Sequence, residues 1–139
     1  MNIIQQLKNE EGVIPHAYQD SLGFWTIGVG RLIDQRKGGQ LYPDEIDYLL
    51  ANDVQRATAG IRDALPWFQV LDEPRQAVLI GMAFQMGLKG LLAFSTTLSY
   101  VRVGRYADAA VAMLESVWAK QTPERAKRLS KQMETGEWQ

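Results

Sequence analysis

A helix stop followed at once by a hairpin pattern, within the first 32 residues, constrains this chain more than any other feature. Residues 2–11 carry apolar side chains at helical spacing, and Gly12 then permits the left-handed turn that ends helices. Alternating stretches at 14–19 and 25–30 flank Asp-Ser-Leu-Gly at 20–23, which has the composition of a short hairpin loop. The pattern predicts a helix that leads directly into a β-hairpin.

Three polar side chains of this region suit chemistry on a sugar bond. Glu11 falls at a helix C-terminus, where the helix dipole disfavours a negative charge, and Asp20 falls in the tight turn. Thr26 shares a strand face with Gly28 and Gly30, where a ligand or another backbone can approach closely. In glycoside hydrolysis one carboxylic acid protonates the leaving oxygen, while a second carboxylate assists water or the developing cation. The same residues also fit a solvated helix end, a turn cap and an ordinary strand threonine, and spacing leaves both interpretations open.

Composition excludes several other kinds of site. The 139 residues are enough for one core, or for one core with a small lobe. The chain has no cysteine and a single histidine, His16, so we expect no disulfide, no metal and no cofactor. The formal net charge of −1 gives no overall attraction to nucleic acid, and we expect no nucleic-acid partner.

The N-terminal sequence bears on location. Residues 1–12 lack a cationic region followed by a long apolar run, and no later segment approaches the ~20 apolar residues of a membrane span. We therefore expect a protein without a signal peptide that is not inserted in a membrane and is made and folded in the cytoplasm.

The rest of the chain is predicted to be helical beyond a loop at 34–42. Pro43 suits the first turn of a long helix, 43–64, and Asp72 can cap a helix that Gly87 ends. From periodicity alone, Phe84 is predicted to be a buried residue of the hydrophobic core. Further helices are predicted from 95–97 onward, over 105–113, and from 122 to about 133.

Several motifs then carry a resemblance to a known family. EEG-x7-D-x5-TIGVG begins at Glu10, and FQMG, AFSTTL, AAV and W-x2-QTP-x-RAKR follow at 84–87, 93–98, 109–111 and 118–128. This set closely resembles the T4-type phage lysozymes of glycoside hydrolase family 24, with the same register from the first residue. The similarity covers most of the chain.

The resemblance implies a role for each matching residue. Glu11 would be the general acid, Asp20 would support attack on the sugar, and Thr26 would position water. Arg125 would approach the catalytic glutamate. The residues expected to contact substrate are Leu32, Phe84, Gln85 and Thr97. At Ala112, where relatives carry an amide side chain, one hydrogen bond is expected to be missing.

The resemblance also implies a fold and a setting. We expect one mainly α, α+β domain over 1–139 with the lysozyme-like arrangement: a small β-hairpin lobe at about 12–42, a connecting helix at about 43–64, and a helical lobe at about 65–139 packed with helix 2–11. The protein is expected to be a monomer that acts on peptidoglycan. It would remain in the host cytoplasm until a separate holin releases it to the periplasm.

Arg31 is expected to support the site through an ion pair. Relatives commonly have histidine at this position, with an aspartate partner whose place aligns with Asp53. The resemblance thus predicts a salt bridge between Arg31 and Asp53, and arginine would keep it charged at every accessible pH.

The resemblance implies an enzyme that hydrolyses the β-1,4 bond between N-acetylmuramic acid and N-acetylglucosamine. Whether Asp20 stabilises positive charge or assists the attacking water stays open. A lytic transglycosylase on the same fold is the nearer alternative, and the presence of Asp20 and Thr26 argues against it. A catalytically silent wall-binding module is an alternative of another class.

Overall fold

The computed structural model of the chain describes residues 2–33 and 39–139, which form two compact units, Met1–Leu49 and Leu50–Gln139. Each unit is described by itself. The described residues are mostly helical with one small antiparallel sheet, so the predicted mainly α, α+β class is confirmed. The predicted packing of helix 2–11 with the C-terminal lobe stays a prediction.

Helix α1, Ile3–Glu11, begins and ends where the sequence predicts. The Asn2 side chain accepts a hydrogen bond from the Gln5 N–H at 2.9 Å, which satisfies one free donor of the first turn. Gly12 has a φ of 77°, and its N–H donates to the Lys8 carbonyl. Glu11 is consequently the last helical residue before a sharp change of direction.

The sheet has three antiparallel strands in the order β1, Ile14–Gln19; β2, Trp25–Gly28; and β3, Arg31–Leu32. The predicted return strand over 25–30 is therefore too long: β2 ends at Gly28, and Gly28 and Gly30 have positive φ values of 71° and 64° that bend the chain. These glycines turn the chain into β3. Thr26 in the central strand pairs with Tyr18 on one side and Leu32 on the other.

Helix α2, Pro43–Ala64, has the bounds that the sequence predicts. Its first turn contains Asp44 and Glu45, whose charges suit the positive end of the helix dipole. The predicted loop at 34–42 lies partly outside the described residues, which omit 34–38.

An ion pair joins β3 to the first turn of α2. Arg31 donates from Nη1 to Glu45 Oε2 at 2.7 Å and from Nη2 to Glu45 Oε1 at 2.5 Å, a two-pronged geometry that fixes direction as well as distance. Arg31 Nη2 also donates to the Gln40 carbonyl at 2.9 Å, and the Tyr42 N–H donates to Glu45 Oε1 at 2.8 Å. The pair therefore ties one strand to both the approach and the start of a helix.

The predicted pairing of Arg31 with Asp53 is wrong. Asp53 is hydrogen-bonded to Arg56 at 3.5 Å in an exposed pair one turn along α2. Asp53 lies eight residues beyond Glu45, which is about 12 Å along a helix axis, and β3 meets the first turn of the helix. Arg31 in β3 therefore pairs with Glu45 at the start of the helix, and the acidic residue that the family resemblance implied, Asp53, was the wrong partner.

The second unit is a set of helices around one apolar core. After the shared α2 and a 3-10 helix, Pro66–Val70, the remaining helices are α3, Glu73–Leu92; α4, Ser95–Arg102; α5, Tyr106–Leu114; α6, Val117–Gln121; and α7, Pro123–Thr135. The fully buried large side chains all belong to this unit: Ile61, Phe68, Val78, Leu79, Met82, Leu91, Val101, Met113 and Met133. Their burial supplies the main stabilisation of the unit.

The predicted end of the helix at Gly87 is confirmed, and the structure adds a second helical segment that the sequence does not predict. Gly87 leaves helical geometry with a φ of 79°, as a helix stop does, but a further helical segment continues to Leu92 after this kink. Leu91 beyond the kink is fully buried, so core packing favours a second short helix where local sequence signals predicted only an end.

Arg75 near the start of α3 binds the end of α7. Its side chain is only 14% exposed, and it donates to the Met133 carbonyl at 2.7 Å and to the Glu134 carbonyl at 2.8 Å. The guanidinium also lies 3.7 Å from the centre of the Tyr106 ring. One side chain therefore caps the free carbonyls of α7 and joins three helices.

Within the described residues no single helix is long and apolar enough to span a membrane, although α3 and α4 together pass that test as a pair bent by 99°.

We expect Arg75→Ala to lower the free energy of unfolding by about 2–4 kcal/mol, because buried hydrogen bonds contribute about 1 kcal/mol each and the ring contact adds to them. Arg105 is a matched control: it lies 4.9 Å from the Tyr100 ring and bonds Asp108 at 2.8 Å, but its side chain is 60% exposed. Arg105→Ala should cost less than about 1 kcal/mol. Equal losses in urea unfolding would show that Arg75 has no special role.

The ion pair of β3 predicts a pH-dependent stability. Hydrogen bonds from Arg31 and from the Tyr42 N–H hold the pKa of Glu45 below its ordinary value. A lowered folded pKa gives stability that is present above the unfolded value, about 4.3, and is lost as pH falls through the folded one. The melting temperature of the parent should therefore exceed that of Glu45→Gln at neutral pH, and the two should converge in acid. Asp53→Asn should follow the parent curve, and a larger effect from Asp53→Asn would restore the predicted pair.

Candidate functional site

The Glu11 side chain is exposed at the C-terminal end of α1. Among the described residues of the first unit, no group donates a hydrogen bond to its carboxylate. A carboxylate at this end of a helix gains nothing from the helix dipole, and here it has no local compensation. The Glu11 carboxylate is therefore accessible to a ligand without first losing a hydrogen bond to a described residue of its unit.

Asp20 holds the hairpin turn with one oxygen. Its Oδ1 accepts hydrogen bonds from the Leu22 N–H and the Phe24 N–H, both at 2.9 Å, and the turn closes through the Gly23 N–H to the Asp20 carbonyl. The second oxygen, Oδ2, accepts no hydrogen bond from the described residues. One carboxylate therefore performs a structural task and still presents a charged oxygen.

Thr26 is buried, with 3% of its surface exposed, in the centre of the sheet. Its hydroxyl donates to the Phe24 carbonyl at 3.1 Å. Because a hydroxyl has one proton and two lone pairs, this bond leaves Thr26 Oγ1 able to accept a hydrogen bond. The prediction that glycines clear the face around Thr26 is only partly met, since Gly28 ends the strand and Gly30 belongs to the turn.

Gly30 lies directly against the Glu11 carboxylate. A Cβ atom built on Gly30 would come within 2.8 Å of Glu11 Oε2 and 3.2 Å of Glu11 Cδ. The carboxylate therefore lies in the space that a side chain at position 30 would occupy. Gly28, with a similar positive φ, has no atom within 4 Å of such a Cβ.

The first unit carries Glu11, Asp20 and Thr26 on elements that follow one another along the chain. α1 ends at Glu11, the β1–β2 turn carries Asp20, and β2 carries Thr26. The set contains one carboxylate free of local hydrogen bonds, a second with one free oxygen, and a hydroxyl that can accept. These are the groups that acid-assisted attack of water on a glycosidic bond requires.

Among the predicted substrate contacts, Phe84 and Gln85 lie on α3 in the second unit. The Phe84 side chain is 51% exposed, so the prediction from periodicity that it packs in the core is wrong. Gln85 accepts a hydrogen bond at Oε1 from the Trp118 indole N–H, at 3.0 Å. Since an indole N–H can only donate, this bond fixes the amide with its NH₂ group available to a ligand.

Thr97 lies in α4 and lines a cavity of about 380 Å³ in the second unit. Phe94 and Trp118 form its aromatic side, with ring centres 6.0 Å apart at 84°. Ala112 also lines it, at the place where relatives have an amide. The walls combine hydroxyl groups and rings, a lining that suits a polar ligand with apolar faces.

The other predicted residues are placed as follows. Leu32 is half-buried in β3 opposite Thr26, and Arg125 in the first turn of α7 donates to the Gly81 carbonyl at 3.3 Å. His16 is exposed on β1, where its Nδ1 lies 3.1 Å from the Ala17 carbonyl. Leu32 and Arg125 therefore have defined local contacts, and their predicted roles toward substrate stay predictions.

Two contacts of the site were not anticipated from sequence. The motif TIGVG contains Gly30, and W-x2-QTP contains Trp118, but neither pattern indicates which side chain the residue touches. Both contacts join segments distant in sequence, Gly30 to Glu11 and Trp118 to Gln85. Local spacing carries no information on such pairs.

Comparison with known proteins gives a consistent result. The model of the family described as phage lysozyme matches residues 8–134. The chain is 30% identical to "Probable T4-type lysozyme 1" of Dictyostelium discoideum, over 97% of this chain and 95% of that protein. It is 28% identical to "Probable T4-type lysozyme 2" of the same organism, over 94% and 92%.

A third relative is much longer. The "Pre-baseplate central spike protein Gp5" of Enterobacteria phage T4 is 29% identical over 98% of this chain but only 28% of its own length. With the family model matching nearly the whole chain, and the carboxylates and hydroxyl of the first unit on successive elements, this protein belongs to the phage lysozyme family and is a hydrolase of the lysozyme type.

Proposed function

We propose that this lysozyme is a muramidase, which hydrolyses the β-1,4 bond between N-acetylmuramic acid and N-acetylglucosamine in peptidoglycan. The observation that carries the proposal is the state of the two carboxylates. Glu11 accepts no hydrogen bond from the described residues of its unit, and Asp20 has one oxygen bound in the turn and one that accepts none from them. An acid that donates to a glycosidic oxygen and a carboxylate that supports the second half of the reaction both need oxygens that a substrate or water can reach.

The proposed reaction begins with proton transfer from Glu11. The Glu11 carboxylic acid protonates the glycosidic oxygen as the bond between that oxygen and the sugar's C1 breaks. The leaving sugar departs as an alcohol, and positive charge develops on C1 and the ring oxygen. Glu11 becomes a carboxylate in this step.

Asp20 and Thr26 act on the second half of the reaction. The free Oδ2 of Asp20 lies on a rigid turn, where it stabilises the positive charge or removes a proton from the attacking water. Thr26 donates to the Phe24 carbonyl, so it can accept a hydrogen bond from that water and orient its oxygen. The water oxygen bonds to C1, and the proton that the water loses returns to the Glu11 carboxylate, either directly or, where Asp20 takes it first, by exchange with solvent.

The alternative activity is cleavage of the same bond without water, as in a lytic transglycosylase. Asp20 and Thr26 have no task in that reaction, because the sugar's own hydroxyl attacks C1. Their retained geometry favours hydrolysis.

Product analysis separates the two activities. Mass spectrometry of digested peptidoglycan should show reducing ends that are one water heavier than the corresponding 1,6-anhydro ends. Anhydro products would reverse the assignment. Turbidity clearing of permeabilised Gram-negative cells distinguishes either enzyme from a wall-binding module, which would leave the turbidity unchanged.

We further propose that the protein acts as a phage endolysin, made in the host cytoplasm and released to the periplasm through a separate holin. Expression without a holin should leave host cells intact, and permeabilising their inner membrane should then cause lysis. Lysis in the absence of any permeabilising agent would contradict this route.

Glu11→Gln should lower turnover ~10²–10⁴-fold with little change in unfolding temperature, because general acid catalysis contributes about this much. Glu10→Gln is the matched control: Glu10 precedes it on α1, and its Oε1 accepts only from the Gln6 side chain, at 2.9 Å. Turnover of the control should equal that of the parent. A Glu11→Gln enzyme with parental turnover would exclude Glu11 as the acid.

Asp20→Asn and Asp20→Ala should separate the turn from the charge. The amide oxygen of Asn can accept the same two backbone N–H groups, so Asp20→Asn should lose turnover while keeping its stability. Asp20→Ala should lose turnover and also about 1–2 kcal/mol of stability, through the two unpaired turn donors. If Asp20→Asn keeps full turnover, Asp20 is a turn residue only.

A further inference from the structure

The turn between β2 and β3 lies beside the Glu11 carboxylate and has so far been given no role. This turn connects β2 to β3 and ends at Gly30, whose φ of 64° is left-handed. Gly30 is followed directly by Arg31, which is bound to Glu45 through two hydrogen bonds. Glu11, the turn and the ion pair all lie in the first unit.

We propose that Gly30 positions the Glu11 carboxylate, and that the Arg31–Glu45 ion pair holds Gly30 in place. The Glu11 carboxylate lies against Gly30, and the ion pair fixes the position of the Gly30 backbone. Neither residue of the pair touches the reacting atoms in this proposal, so Gly30, Arg31 and Glu45 are positioning residues. The inference rests on the proposed role of Glu11 as the acid.

The contact is close enough to control the carboxylate. A single added methyl group at Gly30 would stand 2.8 Å from Glu11 Oε2, 3.2 Å from Cδ and 3.4 Å from Cγ. No real Cβ atom tolerates 2.8 Å, so one of the two groups must move. The carboxylate is the end of a flexible side chain, and it would move while the backbone stayed.

A displaced carboxylate would cost turnover much more than stability. Misplacing a catalytic group by about 1 Å can lower the rate ~10²-fold, because proton transfer depends steeply on the distance and angle of the acid. The stability cost at Gly30 comes from forcing a residue with a Cβ into a left-handed conformation, and the same cost applies at Gly28.

The ion pair explains why the turn itself stays fixed. β3 has only two residues, Arg31 and Leu32, and strand pairing alone holds so short an element weakly. Arg31 is additionally bound to Glu45 and to the Gln40 carbonyl, so its backbone, and that of its neighbour Gly30, is anchored to the start of α2. Removing the pair would allow Gly30 to move away from the carboxylate.

Gly28, the last residue of β2, provides a matched control beside the same turn. Its φ of 71° is nearly that of Gly30, so an alanine there meets the same backbone strain, but nothing lies within 4 Å of the added methyl group. Gly28→Ala and Gly30→Ala should therefore lose similar stability. Only Gly30→Ala should lose turnover through Glu11.

The test compares kcat, KM and thermal unfolding in these two variants, below the melting temperature of each. We expect kcat of Gly30→Ala to fall ~10²-fold with KM little changed, and kcat of Gly28→Ala to stay near that of the parent. Equal changes in kcat for the two variants, or parental kcat in Gly30→Ala, would overturn the proposal. Because Glu11→Gln tests the acid separately, a failure at Gly30 would leave the proposed function standing.

A shorter acid supplies the rescue. Glu11→Asp withdraws the carboxyl group from the space that the methyl group of Gly30→Ala would fill. The loss in kcat of the double variant should therefore be smaller than the product of the two single losses. Simple multiplication of the losses would show that the Gly30 effect does not act through Glu11.

The ion pair is tested in the same way. Glu45→Gln should lower kcat in the parent, but it should lower kcat little further in Gly30→Ala, because both changes act on the same carboxylate. Independent effects would remove Arg31 and Glu45 from the positioning scheme.

Discussion

The first unit has almost no apolar core, and its shape depends on polar contacts at turns. In residues 2–33 and 39–49, Thr26 and Gly39 are the only buried positions, while Ile3, Ile4 and Trp25 are largely exposed. Small sheets of this kind are weak unless something else fixes them. Here the Asp20 carboxylate fixes the first turn, and the Arg31–Glu45 ion pair fixes the third strand.

This dependence has consequences for catalysis. Glu11 and Asp20 lie at the end of a short helix and in a turn, where a carboxylate can face a substrate but the backbone is least constrained. One oxygen of Asp20 holds its turn, and the other accepts no hydrogen bond from the described residues. Glu11 accepts none from the described residues of its unit and lies against Gly30, which we propose positions it. Carboxylates placed in this way serve the proposed reaction but lower the folding stability of the unit.

The second unit follows different physics. Its core of aliphatic, aromatic and methionine side chains is well buried, and polar contacts join the ends of helices to it. Arg75 satisfies carbonyls at the end of α7, and Trp118 orients the Gln85 amide. The long relative from phage T4 contains a segment similar to this whole chain within a much larger protein, which fits a domain that carries its own core.

The sequence by itself determined the features that depend on neighbours along the chain. The bounds of α1 and α2, the glycine that ends α1, the Asp20 turn and the family motifs are all local patterns, and the structure contains them where predicted.

Tertiary structure alone decided which distant groups meet. Arg31 binds Glu45 and not Asp53, because the meeting point of β3 and α2 depends on how the intervening chain folds and not on the spacing of acids along a helix. Phe84 is exposed although its apolar character predicts burial. Gly87 ends the first helical segment of α3 as predicted, but the second segment, up to Leu92, forms because Leu91 packs in the core. The contact of Gly30 with Glu11 belongs to the same class. The sequence provides a glycine that can adopt a positive φ at position 30, but only the folded structure brings that glycine against the Glu11 carboxylate.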